Sequence, residues 1–373
     1  MKRSELKDRR HWVVKIGSGV LLRDKVHVDR PTFVNLVLDI VSLVELGHRV
    51  TVVSSGAVAL GRQVASEQRK DLPSLQAYAA LGQARLIQMF DLEFAQYGKR
   101  AAQILLGRGD IDRRESFLNA RMALEAVDEF GAIPVINEND TVATEGLRFD
   151  DNDHLAAITC GLVQADLLVI LSDVEGVLEV SDGPSGRVFG ARISTIGVED
   201  ETLRGIAGPS VSGHGKGGMN SKVSSARHAA RFGVPTVIAG GKSPRILQTI
   251  RRGEDAGTLL VPTQEHLQGK KIWIGAAAVS VGKISCDLGA CRALIERGAS
   301  LLPKGILRVD GEWDIGSVVD VCDPEGKVFA RGLCSYSASD LRKISGVHSE
   351  KFEEILGHRG FEEAIHRDNL VLT

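Results

Sequence analysis

A succession of short apolar runs, each giving way to small or polar residues and then to an amphipathic stretch, constrains this chain most. Trp12-Val13-Val14-Lys15-Ile16 leads into Gly17-Ser18-Gly19, and the run 50–53 leads into Ser54-Ser55-Gly56-Ala57. Ala132-Ile133-Pro134-Val135-Ile136 leads into Asn137-Glu138-Asn139-Asp140, the run 167–171 into Ser172-Asp173, and Thr236-Val237-Ile238-Ala239 into Gly240-Gly241. Such runs read as buried strands, as do 101–106 and 258–261. Asp29 caps a helix with Pro31 in its first turn; Val34, Val37, Leu38, Val41 and Val44 form its apolar face and Gly47 ends it. Further helices are expected over 79–94, 116–130, 155–162 and 219–231, with one from Ser243. Residues 177–189 carry a Gly-Pro-Ser-Gly turn. Strands alternating with helices imply an α/β fold whose mostly parallel sheet is covered on both faces.

Gly17, Ser55, Asn137 and Ser172 would then stand in a row at the carboxyl ends of their strands, where open α/β sheets hold ligands. Glycines allow close approach of phosphate oxygens to backbone N–H groups, and helix amino ends favour anions. The row therefore suggests a nucleotide or phosphate site. A Walker loop is excluded because Met219 follows Gly218 where lysine is required. The dinucleotide fingerprint lacks its third glycine after Gly17-Ser18-Gly19. The acidic, amide-rich stretch 136–153 lacks the glycine and terminal glutamate of an EF-hand. What remains is Lys15, inside a strand, and Lys222, after the glycine-rich loop 213–218.

The net charge of -2 gives no general affinity for nucleic acid or a membrane surface. No apolar run spans a bilayer and the charged start, residues 1–10, is not a signal peptide. Cys160, Cys286, Cys291, Cys322 and Cys334 are scattered without a CxxC pair, which fits reduced thiols in a cytoplasmic protein. Cys286 and Cys291 are expected to be buried thiols. His11, His27 and His48, near element ends without metal-ligand spacing, are expected in solvent.

Val14-Lys15-Ile16-Gly17-Ser18, Ser54-Ser55-Gly56-Ala57, Asn137-Glu138-Asn139-Asp140, Asp151-Asn152-Asp153 and Gly217-Gly218-Met219-Asn220-Ser221-Lys222 occur in this order. Together they resemble the amino acid kinase family, in the branch that phosphorylates glutamate. The C-terminal part, with Arg308-Val309-Asp310-Gly311, Ala330-Arg331-Gly332-Leu333 and Ile365-His366-Arg367-Asp368-Asn369-Leu370, resembles a PUA domain. Kinases of carbamate, uridylate and acetylglutamate lack that fusion. The resemblance implies a three-layer αβα sandwich over 1–262, a linker over 263–281, and a small β-barrel-like PUA domain over 282–373. It implies transfer of phosphate from ATP to the γ-carboxylate of L-glutamate, the entry step to proline.

A γ-carboxylate, with a pKa of about 4.3, is ionised at neutral pH, so no general base is needed. The difficulty is bringing one anion to another, and the remedy is focused positive charge. The resemblance gives Lys15, Lys222 and Asp153 the catalytic roles, Asp153 organising the two lysines. It gives Ser55, Asp140 and Asn152 the glutamate: Asp140 for the α-ammonium, Ser55 and Asn152 as neutral donors to its carboxylates. It gives ATP to Lys15, Gly17, Ser172, Asp173, Gly217, Gly218, Met219, Asn220, Ser221 and Lys222. Mg2+ would be held by the ATP phosphates, with no direct protein ligand. Arg148 and Asp150 depart from the residues relatives carry in the loop used for substrate and proline.

Relatives form dimers or tetramers, so a homo-oligomer is expected, with hand-off of product to glutamyl phosphate reductase a further partner. PUA domains elsewhere bind RNA, the alternative reading, beside a kinase of another small carboxylate. From Ser280 onward there are 12 Lys or Arg against 15 Asp or Glu, a net of -3, so this domain is poorly equipped to neutralise phosphates.

Overall fold

The computed structural model describes all residues except 25–26, 66–68, 108–109, 112–113, 143–151, 184–185, 204–217, 264–273, 275–279, 358–360 and 373. Two compact units emerge, one of Met1–Ile111 with Glu115–His266, the other of Asp112–Arg114 with Leu267–Thr373.

The first unit begins with β1 (His11–Ile16), a helical turn α1 (Ser18–Leu21), α2 (Arg30–Glu45), β2 (Arg49–Ser54), α3 (Ala57–Arg62), α4 (Leu72–Ala95) and β3 (Ala101–Leu106). It continues with α5 (Arg114–Glu129), β4 (Ile133–Glu138), α6 (Asn152–Leu162), β5 (Leu167–Ser172), β6 (Leu178–Gly183), β7 (Gly186–Arg192) and β8 (Thr195–Gly197). Then come α7 (Met219–Ala230), β9 (Thr236–Gly240), α8 (Ile246–Arg251) and β10 (Thr258–Val261). The main sheet has the order β3-β4-β2-β1-β5-β9-β10-β8. It is parallel from β3 through β9, while β10 runs antiparallel to β9.

β1 is buried along its whole length, as a central parallel strand must be. Its even residues, Trp12, Val14 and Ile16, join a core with Phe33, Val37 and Ile40 of α2 and Phe90 and Phe94 of α4. Residues of opposite parity, Val13 and Lys15, belong to the other face, and α6 packs against β1. Strand order reverses at β1: β2 and then β4 extend the sheet to one side, β5 and β9 to the other. This is the switch point where a crevice opens at the carboxyl edge.

Asp29 accepts from Thr32 N at 3.3 Å, Pro31 stands in the first turn of α2, and Gly47 has a φ of 82°. α4 begins at Leu72, well before the expected residue 79, because Asp71 accepts from Ser74 N at 3.0 Å and Pro73 fits the first turn. α5 begins two residues before Ser116 and ends at Glu129. α6 begins at Asn152 rather than Leu155, so two residues of the acidic stretch lie on a helix. β6 and β7 form an antiparallel pair separate from the main sheet, and residues 184–185 of the expected turn lie outside the described residues.

His27 is exposed beside Asp24 at 2.9 Å, but the expectation of solvent fails for His11 and His48. Burial and the nearby Arg49 push His11 down to about 3. His48 is lowered mainly by burial and bonds the Arg9 carbonyl through Nδ1 at 2.9 Å. Both sit where strands enter the sheet; the His48 ring meets a backbone carbonyl there, and His11 Nε2 lies 3.4 Å from the Thr51 hydroxyl.

The second unit contains β11 (Gly282–Cys286), α9 (Leu288–Arg297), β12 (Ile306–Gly311), β13 (Val318–Cys322), β14 (Val328–Leu333), α10 (Ala338–Ile344), α11 (Phe352–Leu356) and β15 (Leu370–Leu372). Its sheet runs β12-β11-β13-β14-β15. Ile284, Leu294, Trp313, Val319, Val321, Tyr336 and Leu341 form its core, and the Trp313 indole donates to Tyr336 O at 3.2 Å. Cys286, Cys291, Cys322 and Cys334 are all buried free thiols, as is Cys160 in the first unit, and burial raises each of them.

Candidate active site

Lys15 is one residue from the end of β1, in register with Val53 on β2 and Ile170 on β5. Its ammonium meets Asp153 Oδ1, and Lys222 Nζ donates to Asp153 Oδ2 at 3.1 Å. Asp153 is fully buried and each lysine is 6% exposed. The three residues come from β1, the first turn of α6 and the first turn of α7. α6 and α7 pack against each other, which brings their amino ends to the same strand edge.

The electrostatics decide why a carboxylate belongs there. Two ammonium groups about 4 Å apart repel by about 4 kcal/mol at an effective dielectric of 20, while each attraction at about 3 Å is worth about 5 kcal/mol. One shared carboxylate therefore more than cancels the repulsion. It also leaves the cluster with one net positive charge. The amino end of α6 favours the anion further.

The other residues expected to meet ATP follow the same edge. Gly17 continues β1, and a Cβ there would stand 3.2 Å from Leu171 O and 3.7 Å from Lys15 Nζ. A side chain would thus fill the space beside the ammonium that a phosphate needs. Ser172 ends β5 and donates through its hydroxyl to Asp173 Oδ1 at 3.0 Å. Gly218 caps α7, whose first residues are Met219, Asn220 and Ser221. The Ser221 hydroxyl is buried with no hydrogen-bond partner among the described residues, an orphan donor suited to an oxygen-rich ligand. Gly217 and the rest of the loop from Gly213 lie outside the described residues, as do Arg148, Asp150 and Asp151. Among the described residues no group of three His, Cys, Asp or Glu could hold a metal ion directly.

The residues expected to hold glutamate stand at the ends of β2 and β4, where Val53 pairs with Ile136, and at the start of α6. Asn152 Nδ2 lies 2.8 Å from Ser54 O, 2.9 Å from Ser55 Oγ and 3.0 Å from Asn137 Oδ1. Asn137 in turn donates to Gln83 Oε1 on α4 at 2.7 Å. Asp140 follows β4, and burial pushes it up to about 6. Asn137 stood within the acidic stretch without an assigned role, and Gln83 was not singled out. The only sequence trace of Gln83 is an amide among Ala79, Leu86 and Phe90 on the buried side of a helix.

That helix is locked in place by two glycines. A Cβ on Gly82 would lie 1.7 Å from Ala57 O, and one on Gly61 would lie 1.8 Å from Tyr78 O. α4 therefore touches the backbone of α3, which starts directly after Ser55-Gly56. Gly56 itself has a φ of 105°, a turn only glycine takes without strain.

Residues 10–240 match the model of the amino acid kinase family, and residues 282–356 match that of the PUA domain. A protein of Syntrophotalea carbinolica named Glutamate 5-kinase is 42% identical over 377 residues, covering 100% of both chains. One of the same name from Pseudomonas putida is 42% identical over 373 residues, again covering 100% of each. The structure of carbamate kinase from Giardia lamblia bound to AMP-PNP aligns with a TM-score of 0.47 at 16% identity, covering 68% of this chain and 99% of that one.

Proposed function

Because the chain belongs to the amino acid kinase family, we propose that it transfers the γ-phosphoryl group of ATP to the γ-carboxylate of L-glutamate, giving γ-glutamyl phosphate and ADP. This is the activity named for the full-length relatives, and it is the first step of proline biosynthesis. The observation that carries the chemistry is the Asp153 carboxylate bracketed by Lys15 and Lys222 at the edge where β1 ends.

A carboxylate oxygen of the acceptor attacks the γ-phosphorus as the bond to the β,γ-bridging oxygen breaks. The electron pair leaves with ADP, and no proton moves because the acceptor is already ionised. The work of the protein is to align two anions and to stabilise charge on the phosphoryl oxygens. Lys15 and Lys222 do this from two sides, and Asp153 keeps both ammonium groups aimed. Gly17, Gly218 and the start of α7, from Met219 through Asn220 to Ser221, line the phosphates. Ser172 and Asp173 face the ribose and base. Mg2+, when bound to the ATP phosphates, supplies further charge neutralisation. Asp140 takes the α-ammonium of glutamate in a charge-assisted bond, with Ser55 and Asn152 completing the acceptor site.

On this reading residues 1–262 form the catalytic region, 263–281 a connector and 282–373 a PUA region with a regulatory or structural role. The protein acts in the cytoplasm as a homo-oligomer and passes its labile product to glutamyl phosphate reductase. The test is trapping of the acyl phosphate with hydroxylamine in the presence of ATP, Mg2+ and L-glutamate. Hydroxamate from N-acetylglutamate or aspartate, with none from L-glutamate, would overturn the choice of substrate.

A further inference from the structure

The acceptor side carries a chain of amides whose direction is dictated at one end. Ser54 O is a main-chain carbonyl and can only accept, so the Asn152 side-chain atom 2.8 Å away must be its nitrogen. That nitrogen also meets Asn137 at 3.0 Å, so Asn137 turns its oxygen to Asn152. The Asn137 nitrogen then faces the other way, and the Gln83 atom it meets at 2.7 Å is an oxygen. One obligate acceptor thus orients three side chains on three elements. Asn137 is 2% and Gln83 8% exposed. Gln83 Nε2 is buried with no partner among the described residues, so the acceptor end of this amide is what the chain uses.

The orientation has a consequence for a ligand. With its nitrogen committed to the wall, Asn152 offers its carbonyl oxygen to the opposite side. Ser55 Oγ lies 2.9 Å from the same nitrogen, which cannot accept, so the Ser55 proton points elsewhere as a donor. An acceptor beside a donor suits a molecule bearing an ammonium and a carboxylate on one carbon. This reverses the donor role that the resemblance implies for Asn152.

We propose that Gln83, which touches no reactant, is a positioning residue for amino-acid recognition. By accepting from Asn137 it holds the Asn152 oxygen and the Ser55 hydroxyl proton toward the acceptor substrate. The inference rests on the reading above that the acceptor is a free amino acid. The close contact of Gly82 with Ala57 keeps Gln83 at this station.

The test compares L-glutamate with glutarate, which lacks the ammonium, in the full-length enzyme. Gln83→Leu and Gln83→Met keep bulk without an acceptor; Gln83→Glu keeps an oxygen for Asn137. In the apolar variants the KM for L-glutamate should rise about tenfold, the KM for ATP should stay within about twofold, and the preference for L-glutamate over glutarate should fall about tenfold. Gln83→Glu should keep that preference within about threefold of wild type. Apolar variants that lose thermal stability yet retain the wild-type preference would make Gln83 purely structural and sink the proposal. So would a Gln83→Glu enzyme that discriminates as poorly as Gln83→Leu. A wild-type enzyme that forms no acyl phosphate from L-glutamate would fail at the earlier reading instead.

Discussion

On the proposed function Asp153 activates no nucleophile, yet two buried lysines are arranged around it. Its carboxylate is the reason two buried ammonium groups can share one strand edge. Lys222→Ala should lower kcat by about a hundred- to a thousandfold, the usual loss when one charge-stabilising donor is removed. Asp140→Ala should mainly raise the KM for glutamate; equal, small effects of both substitutions in steady-state kinetics would contradict the division of roles. Asp140 also fixes a pH dependence. Its folded pKa is raised to about 6 by burial, so it loses its charge as pH falls through that value. The protonated acid cannot pair with an ammonium. The KM for glutamate should therefore climb below about pH 6, and Asp140→Asn should flatten that limb in a pH profile of kcat/KM. At this scale Lys15 was legible as a candidate because a lysine in an apolar strand conflicts with ordinary packing, and its meeting with Asp153 and Lys222 followed from the resemblance rather than from local pattern. Gln83 was not legible. Its role lies in a hydrogen bond to a residue 54 positions away, and nothing in helical periodicity marks it.

Among the elements, β1 to β5 and β9 were read to within two residues, since each is an apolar run cut off by glycine, serine or asparagine, whereas β6, β7 and β8 were not read as strands. Helix starts were read late at α4, α5 and α6, because the apolar face begins after the cap. The shift matters for α6: it moves Asn152 and Asp153 from a loop to a helix amino end, where an anion is favoured. The docking of α8 on α2 hides a second titrating carboxylate. Asp39 on α2 is buried and accepts from Leu247 N at 2.9 Å. Burial raises it to about 6, against that backbone bond and the nearby Arg245 and Arg252. A raised carboxyl favours the folded state most below its unfolded pKa, and that contribution is lost as pH rises through about 6. Asp39→Asn keeps an oxygen for Leu247 and removes the charge. It should raise Tm at pH 8, by at most about 3 kcal/mol in stability, and change it little near pH 4. An unchanged difference between the two pH values in thermal melts would count against this account.

For the molecule as a whole, the order of strands across the main sheet separates two jobs. On the proposed function β2 and β4 would carry the acceptor side and β5 the nucleotide side, with β1 and Lys15 between them in the strand order. The second unit adds a PUA domain whose charge balance opposes nucleic acid. Labelled structured RNA should show negligible shift with the full-length protein at low salt, where phosphate contacts are strongest; tight, salt-sensitive binding would reverse that view. The alternation of strand and helix made the sheet legible in advance, but the two-stranded β6–β7 ribbon and the antiparallel β10 depend on pairings that no local pattern specifies. The strand order also bears on how such a chain can change. If the proposed function holds, donor and acceptor are gripped by different parts of one scaffold that meet where the phosphate crosses. Selection could retool what receives the phosphate by altering two strand tips and the helices behind them, while the grip on the donor is inherited untouched.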